Sequence, residues 1–258
     1  MLKIKNNVDS AELYISGSII DDEDGGWFEA WDDPGTGYEW PKVIKEQLDA
    51  IDENSLLTIY INSDGGSVPA GVAIANMIAR HKGHTIAIVD GWACSIATQI
   101  FFAADERRIP SNSYLMIHKP TVGAVSGDAN DMRRMAETLD VLQDGLETTY
   151  NRVTREGVTP EQVHQMVEDS TWLTGADAAE LFDIELLEAS QTAAYAGSEF
   201  KSFSNMPDGI KFVAKVPEQV SKKQIPATEP KLQDAYINKM RAAIQLAIME
   251  GEILDEKI

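Results

Sequence analysis

Cysteine is nearly absent: Cys94 is the only one in 258 residues, so no disulfide can form within the chain. Basic residues are scarce as well, with 22 Lys and Arg against 42 Asp and Glu and a net charge of −20. Sequence-independent affinity for nucleic acid comes from cations neutralising phosphates, so this balance argues against a nucleic-acid partner. No apolar run approaches the ~18 residues needed to cross a bilayer. The opening Met1-Leu2-Lys3-Ile4-Lys5 also lacks the apolar stretch of a secretory signal. The expectation is a soluble protein of a reducing cytoplasm, away from membranes. Histidine is rare too, with four in all, which shortens the search for a catalytic base.

What is present is unevenly charged. Residues 1–40 carry a net −8, residues 41–190 a net −12, and residues 191–258 a net of zero. The acidic excess of the first zone lies in a Gly- and Pro-containing stretch from Asp21 to Gly35 that reads as a loop. We treat residues 19–40 as an acidic insertion, with Trp27, Trp31 and Trp40 placed to pin it to the body. An EF-hand spacing with its closing Glu is missing, so a calcium loop is not expected. Residues 191–230, with Pro207, Pro217, Pro226 and Pro230, read as a linker-like segment. Residues 231–258 read as an amphipathic helix striped by Leu232, Tyr236, Met240 and Ile244.

The middle zone alternates. β-rich runs at 57–62, 85–89 and 114–118 are separated by helical stretches at 68–80 and about 95–104, with a tight turn expected at Asp90-Gly91. Such alternation predicts an α/β domain over residues 1–190 with a parallel sheet and crossover helices. A long polar helix is expected over 129–155, and another from Pro160.

Within that frame, Ser95 sits in Gly91-Trp92-Ala93-Cys94-Ser95-Ile96-Ala97, at a strand-to-helix turn among small residues. Such a turn exposes a nucleophile and leaves the N–H of Ile96 beside it as an oxyanion donor. A serine there also serves simply as a helix cap. Among the histidines, His118 ends an apolar strand, whereas His81, His84 and His164 lie in polar surroundings. Strand C-termini of a parallel sheet share one edge, so Ser95 and His118 should emerge together. Asn62-Ser63-Asp64-Gly65-Gly66 follows a strand and lets backbone approach a substrate closely.

Ile61-Asn62-Ser63-Asp64-Gly65-Gly66, the serine turn, Met116-Ile117-His118-Lys119-Pro120 and Leu173-Thr174-Gly175-Ala176-Asp177 together resemble the ClpP-type serine peptidases. The flavour is that of the bacteriophage branch with prohead and head-maturation proteases, and the resemblance spans residues 11–190. It implies a ClpP/crotonase-like fold of repeated strand-helix units with a protruding handle helix at 129–155, here followed by a C-terminal extension. It further implies Ser95 as nucleophile, His118 as general base, and oxyanion N–H groups from Gly66 and Ile96. The implied activity is a serine endopeptidase working through an acyl-enzyme in a self-compartmentalised homo-oligomeric ring, without cofactor or metal. Substrates would be polypeptides, scaffold or capsid proteins in the phage setting, in a host cytoplasm or procapsid. An ATP-dependent unfoldase is an open partner.

The chain departs from the pattern in two places. Asp64 stands where the family usually has Pro. The family's acid precedes an aromatic-Leu pair, here Trp172-Leu173, and ungapped alignment puts Ser170 there, with Asp169 and Glu168 just before it. Asp169 is taken as the triad acid. Three rivals stay open: a catalytically silent scaffold ring, an acyl-CoA hydratase or isomerase of the crotonase fold, and a Ser–Lys peptidase using Lys119. Cys94 is a rival nucleophile, but adjacent side chains point apart, which favours packing for it.

Overall fold

The computed structural model describes residues 10–30 and 37–189; the linker-like segment and the C-terminal helix expected over 191–258 lie outside them. The chain opens with β1 (Ser10–Ile19), whose Ala11, Leu13 and Ile15 alternate into the core. Next come α1 (Asp22–Ala30), β2 (Tyr38–Glu39), α2 (Pro41–Asp49), β3 (Leu56–Gly66) and α3 (Val68–Ala79). The central part holds β4 (Thr85–Cys94), α4 (Ala97–Phe102), β5 (Glu106–Pro110), β6 (Tyr114–Ile117) and α5 (Ala129–Arg152). It finishes with α6 (Pro160–Glu168), β7 (Thr171–Thr174), α7 (Gly175–Leu181) and β8 (Glu185–Leu187). The strand-helix alternation expected of the middle zone is therefore present.

Parallel pairing runs through β2-β1-β3-β4-β5-β8. One face of the sheet is aliphatic. Leu13, Ile15, Leu57, Ile59, Ile61, Ala87 and Val89 join Ile44 of α2, Ile74 and Ile78 of α3, and Phe101 and Phe102 of α4 in one core. Burying a side chain of this size contributes about 1.5–3 kcal/mol, so this face holds the layers together. Helix starts are chemically marked. Ser67 accepts the Ala70 N–H at the start of α3, and Asp128 and Thr159 form capping boxes on α5 and α6.

The strand β4 changes partner along its length. Ile86–Ile88 pair with Glu106–Arg108 of β5, and Trp92–Cys94 pair with Tyr114–Met116 of β6. The expected tight turn at Asp90-Gly91 is instead a bulge inside this strand: between the pairs Ile61↔Val89 and Ser63↔Ala93, β4 spends more residues than β3. The extra length swings the second half of β4 away from β5 and onto β6. Pairing is not wholly parallel, because β7 runs antiparallel to β6.

Residues 22–30 of the acidic insertion, expected as loop, are helical. Asp22, Glu23 and Asp24 occupy the first turn of α1, where carboxylates favour the positive end of the helix dipole. Gly25 is needed there, since a Cβ would come within 2.6 Å of the Trp40 ring. Trp40 is buried as expected, but Trp27 is 65% exposed. Trp31 lies outside the described residues.

Glu39 is a cost of this insertion. It is buried, and burial pushes its carboxyl up to about 7, only partly offset by the Ser16 backbone N–H. A carboxyl raised on folding contributes stability while protonated and loses it as pH rises through that value. Glu39→Gln should therefore stabilise the protein at pH 8 by ~1–3 kcal/mol and by less at pH 5. Denaturant unfolding at the two pH values measures the difference.

Candidate active site

Ser95 and His118 directly follow the ends of β4 and β6. Cys94 pairs with Met116 in parallel register, and the Ser95 N–H donates to the Met116 carbonyl at 2.8 Å. Ser95 therefore leaves the sheet one step before His118 leaves the adjacent strand. Its backbone sits at φ 55°, in the left-handed region that a serine rarely adopts. That turn points Oγ out of the sheet edge, where it meets Nε2 of His118 at 2.8 Å. The shared-edge expectation for Ser95 and His118 is met in full.

His118 is half-buried, and burial holds its pKa below the ordinary 6.5. A neutral imidazole is the form able to take a hydroxyl proton. The remaining histidines are engaged elsewhere. His81 contacts the Ser55 carbonyl at 2.8 Å, His84 contacts Glu106 at 2.7 Å, and His164 contacts Glu147 at 3.0 Å.

Ile96 opens the first turn of α4 and is 1% exposed, and among the described residues no backbone carbonyl accepts its N–H. An unspent donor beside a nucleophile suits a developing oxyanion. Gly65 packs across it: a Cβ there would stand 2.6 Å from the Cys94 carbonyl oxygen and 2.7 Å from the Ser95 Cβ. Gly66, at φ 145°, has β1 hard against it, with Ile19 O 2.0 Å from where a Cβ would be. Both glycines are thus required by close backbone approach, Gly65 to the serine turn and Gly66 to the end of β1.

The departures from the expected pattern are also placed. The Asp64 carboxylate receives the Ser18 hydroxyl at 3.0 and 3.1 Å, spanning the bulge at Gly17. Cys94 is fully buried, and burial followed by the Asp64 charge drives its thiol pKa far up, so it packs and does not attack. Lys119 is exposed and paired with Glu168 at 2.7 Å. Asp169 is not brought to His118. It caps the C-terminal end of α6, is exposed, and accepts from Gln165 Nε2 at 2.9 Å. Among the described residues no hydrogen bond joins His118 to any carboxylate. No group of three or more His, Cys, Asp or Glu gathers to hold a metal ion among those residues either.

One support was not readable in advance. Thr98 Oγ1 donates to the Ser95 carbonyl at 2.6 Å and receives the Tyr150 hydroxyl at 2.8 Å. Tyr150 lies on α5, about fifty positions later in the chain, so the long helix is bonded to the backbone of the strained serine. Glu168 makes a second link, accepting from Gln143 of α5 at 3.1 Å while it holds Lys119, the neighbour of His118.

A family model described as Clp protease matches residues 42–182. An ATP-dependent Clp protease proteolytic subunit of Streptococcus sanguinis is 34% identical over 147 residues, covering 55% of this chain and 74% of that protein. The subunit of the same name from Streptococcus uberis is 33% identical over 146 residues, covering 55% and 71%. Among solved structures, a ClpP1 mutant from Listeria monocytogenes aligns with a TM-score of 0.55 and 23% identity, covering 69% of this chain and 91% of its own. Together with the mostly parallel sheet, this likeness establishes a ClpP-like α/β fold.

The Thr98 link sets a test of how the serine turn is held. Tyr150→Phe removes one buried hydrogen bond and should lower stability by about 1 kcal/mol. Thr98→Val removes two and should cost more. The denaturant midpoint should fall in both without a change in the slope.

Proposed function

The chain belongs to the Clp protease family, and from that premise we propose that it is a serine endopeptidase with Ser95 as nucleophile and His118 as general base. The observation that carries this reading is the 2.8 Å contact between His118 Nε2 and Ser95 Oγ at a strained strand-to-helix turn. Ser95 gives its hydroxyl proton to Nε2 as Oγ bonds to the scissile carbonyl carbon. The carbonyl electron pair moves onto oxygen, which the N–H groups of Ile96 and Gly66 stabilise. When that pair returns, the C–N bond breaks and His118 hands its proton to the departing amine. Water then repeats the sequence on the acyl-enzyme, releasing the acid and restoring Ser95.

The same reading extends to a homo-oligomeric ring enclosing the sites, joined through α5, with polypeptide substrates. The relatives' description as ATP-dependent proteolytic subunits supports an unfoldase partner. A narrower setting, cleavage of scaffold or capsid proteins during phage head maturation, rests on the resemblance of the motifs. The crotonase alternative needs no serine nucleophile, and the Ser95–His118 contact speaks against it. A catalytically weak ring keeps support from Asp169, which faces Gln165 rather than His118.

A fluorophosphonate should label Ser95 in the native chain and fail to label Ser95→Ala. Hydrolysis of an unstructured peptide should drop at least ~10³-fold in Ser95→Ala and in His118→Ala. Label on another residue would refute the assignment. Because His118 must be neutral to act, kcat/KM should hold below pH 6.5 and fall as pH drops through its lowered pKa. With a net charge of −20 per chain, self-association should tighten as salt screens repulsion. Sedimentation velocity at low and moderate salt reads this directly, and rings that dissociate on salt addition would contradict it.

A further inference from the structure

The Ser95–His118 contact uses only one nitrogen of the imidazole. With Nε2 positioned to accept the Ser95 proton, the neutral ring carries its own proton on Nδ1. An acceptor at that nitrogen fixes the tautomer and stabilises the imidazolium that forms when serine attacks. Among the described residues, none accepts from it. The two carboxylates closest in sequence to the expected acid are committed elsewhere: Glu168 to Lys119 and Gln143, and Asp169 to Gln165.

The antiparallel pairing of β6 with β7 says where an acceptor would have to stand. The register runs Tyr114↔Thr174, Leu115↔Leu173, Met116↔Trp172 and Ile117↔Thr171. Continued one step past its last pair, Ile117↔Thr171, this register brings the chain at Ser170 level with His118. The last paired residues, Ile117 and Thr171, stand directly opposed, a relation that holds Cβ atoms about 5 Å apart, and His118 and Ser170 are their immediate chain neighbours. Asp169 is one residue further on, already within the C-terminal cap of α6. Ser170 itself is half-buried, at φ 53°, where the chain turns sharply from α6 into β7. Asp and Asn are the non-glycine residues that adopt this backbone region most readily. The backbone at 170 therefore accepts an aspartate at least as well as the serine it carries.

We propose that residue 170 sets the catalytic power of this chain: serine there leaves His118 without an anionic partner, and a carboxylate at the same position completes a Ser–His–Asp triad. The proposal rests on the peptidase reading above, and residue 170 acts through His118 as a positioning residue. In the serine-protease template, losing the buried carboxylate lowers kcat about 10⁴-fold. A carboxylate introduced without further adjustment should recover only part of such a factor. The lowered pKa of His118, caused by burial with no acid to oppose it, agrees with an unpartnered ring.

The test compares the full-length native chain with Ser170→Asp, Ser170→Asn and Asp169→Asn. Each is measured for fluorophosphonate labelling of Ser95, kcat/KM on a fluorogenic peptide across pH, and thermal stability. Ser170→Asp should raise kcat/KM by at least ~10-fold and move the acidic limb of the profile to higher pH, because a facing carboxylate favours the imidazolium. Ser170→Asn, of the same shape but uncharged, should do neither. A folded Ser170→Asp whose Ser95 is labelled but whose kcat/KM stays at or below the native value overturns the proposal. So does a fall of ten-fold or more in Asp169→Asn, which would give the role to Asp169. If Ser95 is labelled neither in the native chain nor in Ser170→Asp, the peptidase reading itself fails and the proposal falls with it.

Discussion

The pairing of the second half of β4 with β6 is the constraint on which the rest of the site depends. Cys94 opposite Met116, and the Ser95 N–H on the Met116 carbonyl, place Ser95 and His118 on neighbouring strand ends. That pairing exists because the bulge at 90–91 releases β4 from β5 and turns it toward β6. The bulge looks like a local irregularity, yet it lies directly before the segment that brings Ser95 to His118.

Around this pairing the structure accumulates close approaches that only glycine permits. Gly65 lies against the Ser95 turn and Gly66 against the end of β1, so β1, β3 and β4 meet at one point. The positive φ of Ser95 is tolerated because several elements hold it at once. These are β6 through the Met116 carbonyl, and α5 through Tyr150 and Thr98. Strain at a nucleophile is stable only under such redundancy. The involvement of α5 also gives a physical route between the long helix and the reactive serine, with Glu168 tying the same helix to the segment after His118.

Much of this was readable from residue order. Three of the strands and the long helix follow from hydrophobic periodicity, and Ser95 with His118 followed from the rule that parallel strands share their C-terminal edge. The failures are equally instructive. Asp90-Gly91 has turn chemistry, but a bulge and a turn use the same residues, and only the neighbouring strands distinguish them. The stretch after Asp21 has loop composition, but its carboxylates sit where a helix dipole favours them, and Gly25 serves the Trp40 ring rather than a turn. Short β5 and β8 carry Arg107, Arg108 and Glu185, too polar to announce themselves.

The acid shows where one-dimensional reasoning stops. Moving one residue along a loop seems a small liberty on paper, which made Asp169 a natural choice for an orienting carboxylate. In three dimensions that step crosses from the strand register into the cap of α6, and the carboxylate goes to Gln165. Residue types and their order determined the fold class and the meeting of Ser95 with His118 at one sheet edge, because each of these rests on local patterns repeated along a strand or helix. That Asp169 turns away from His118 was decided only by the tertiary structure. It depends on the antiparallel register of β7 against β6, and a register is a relation between segments more than fifty residues apart.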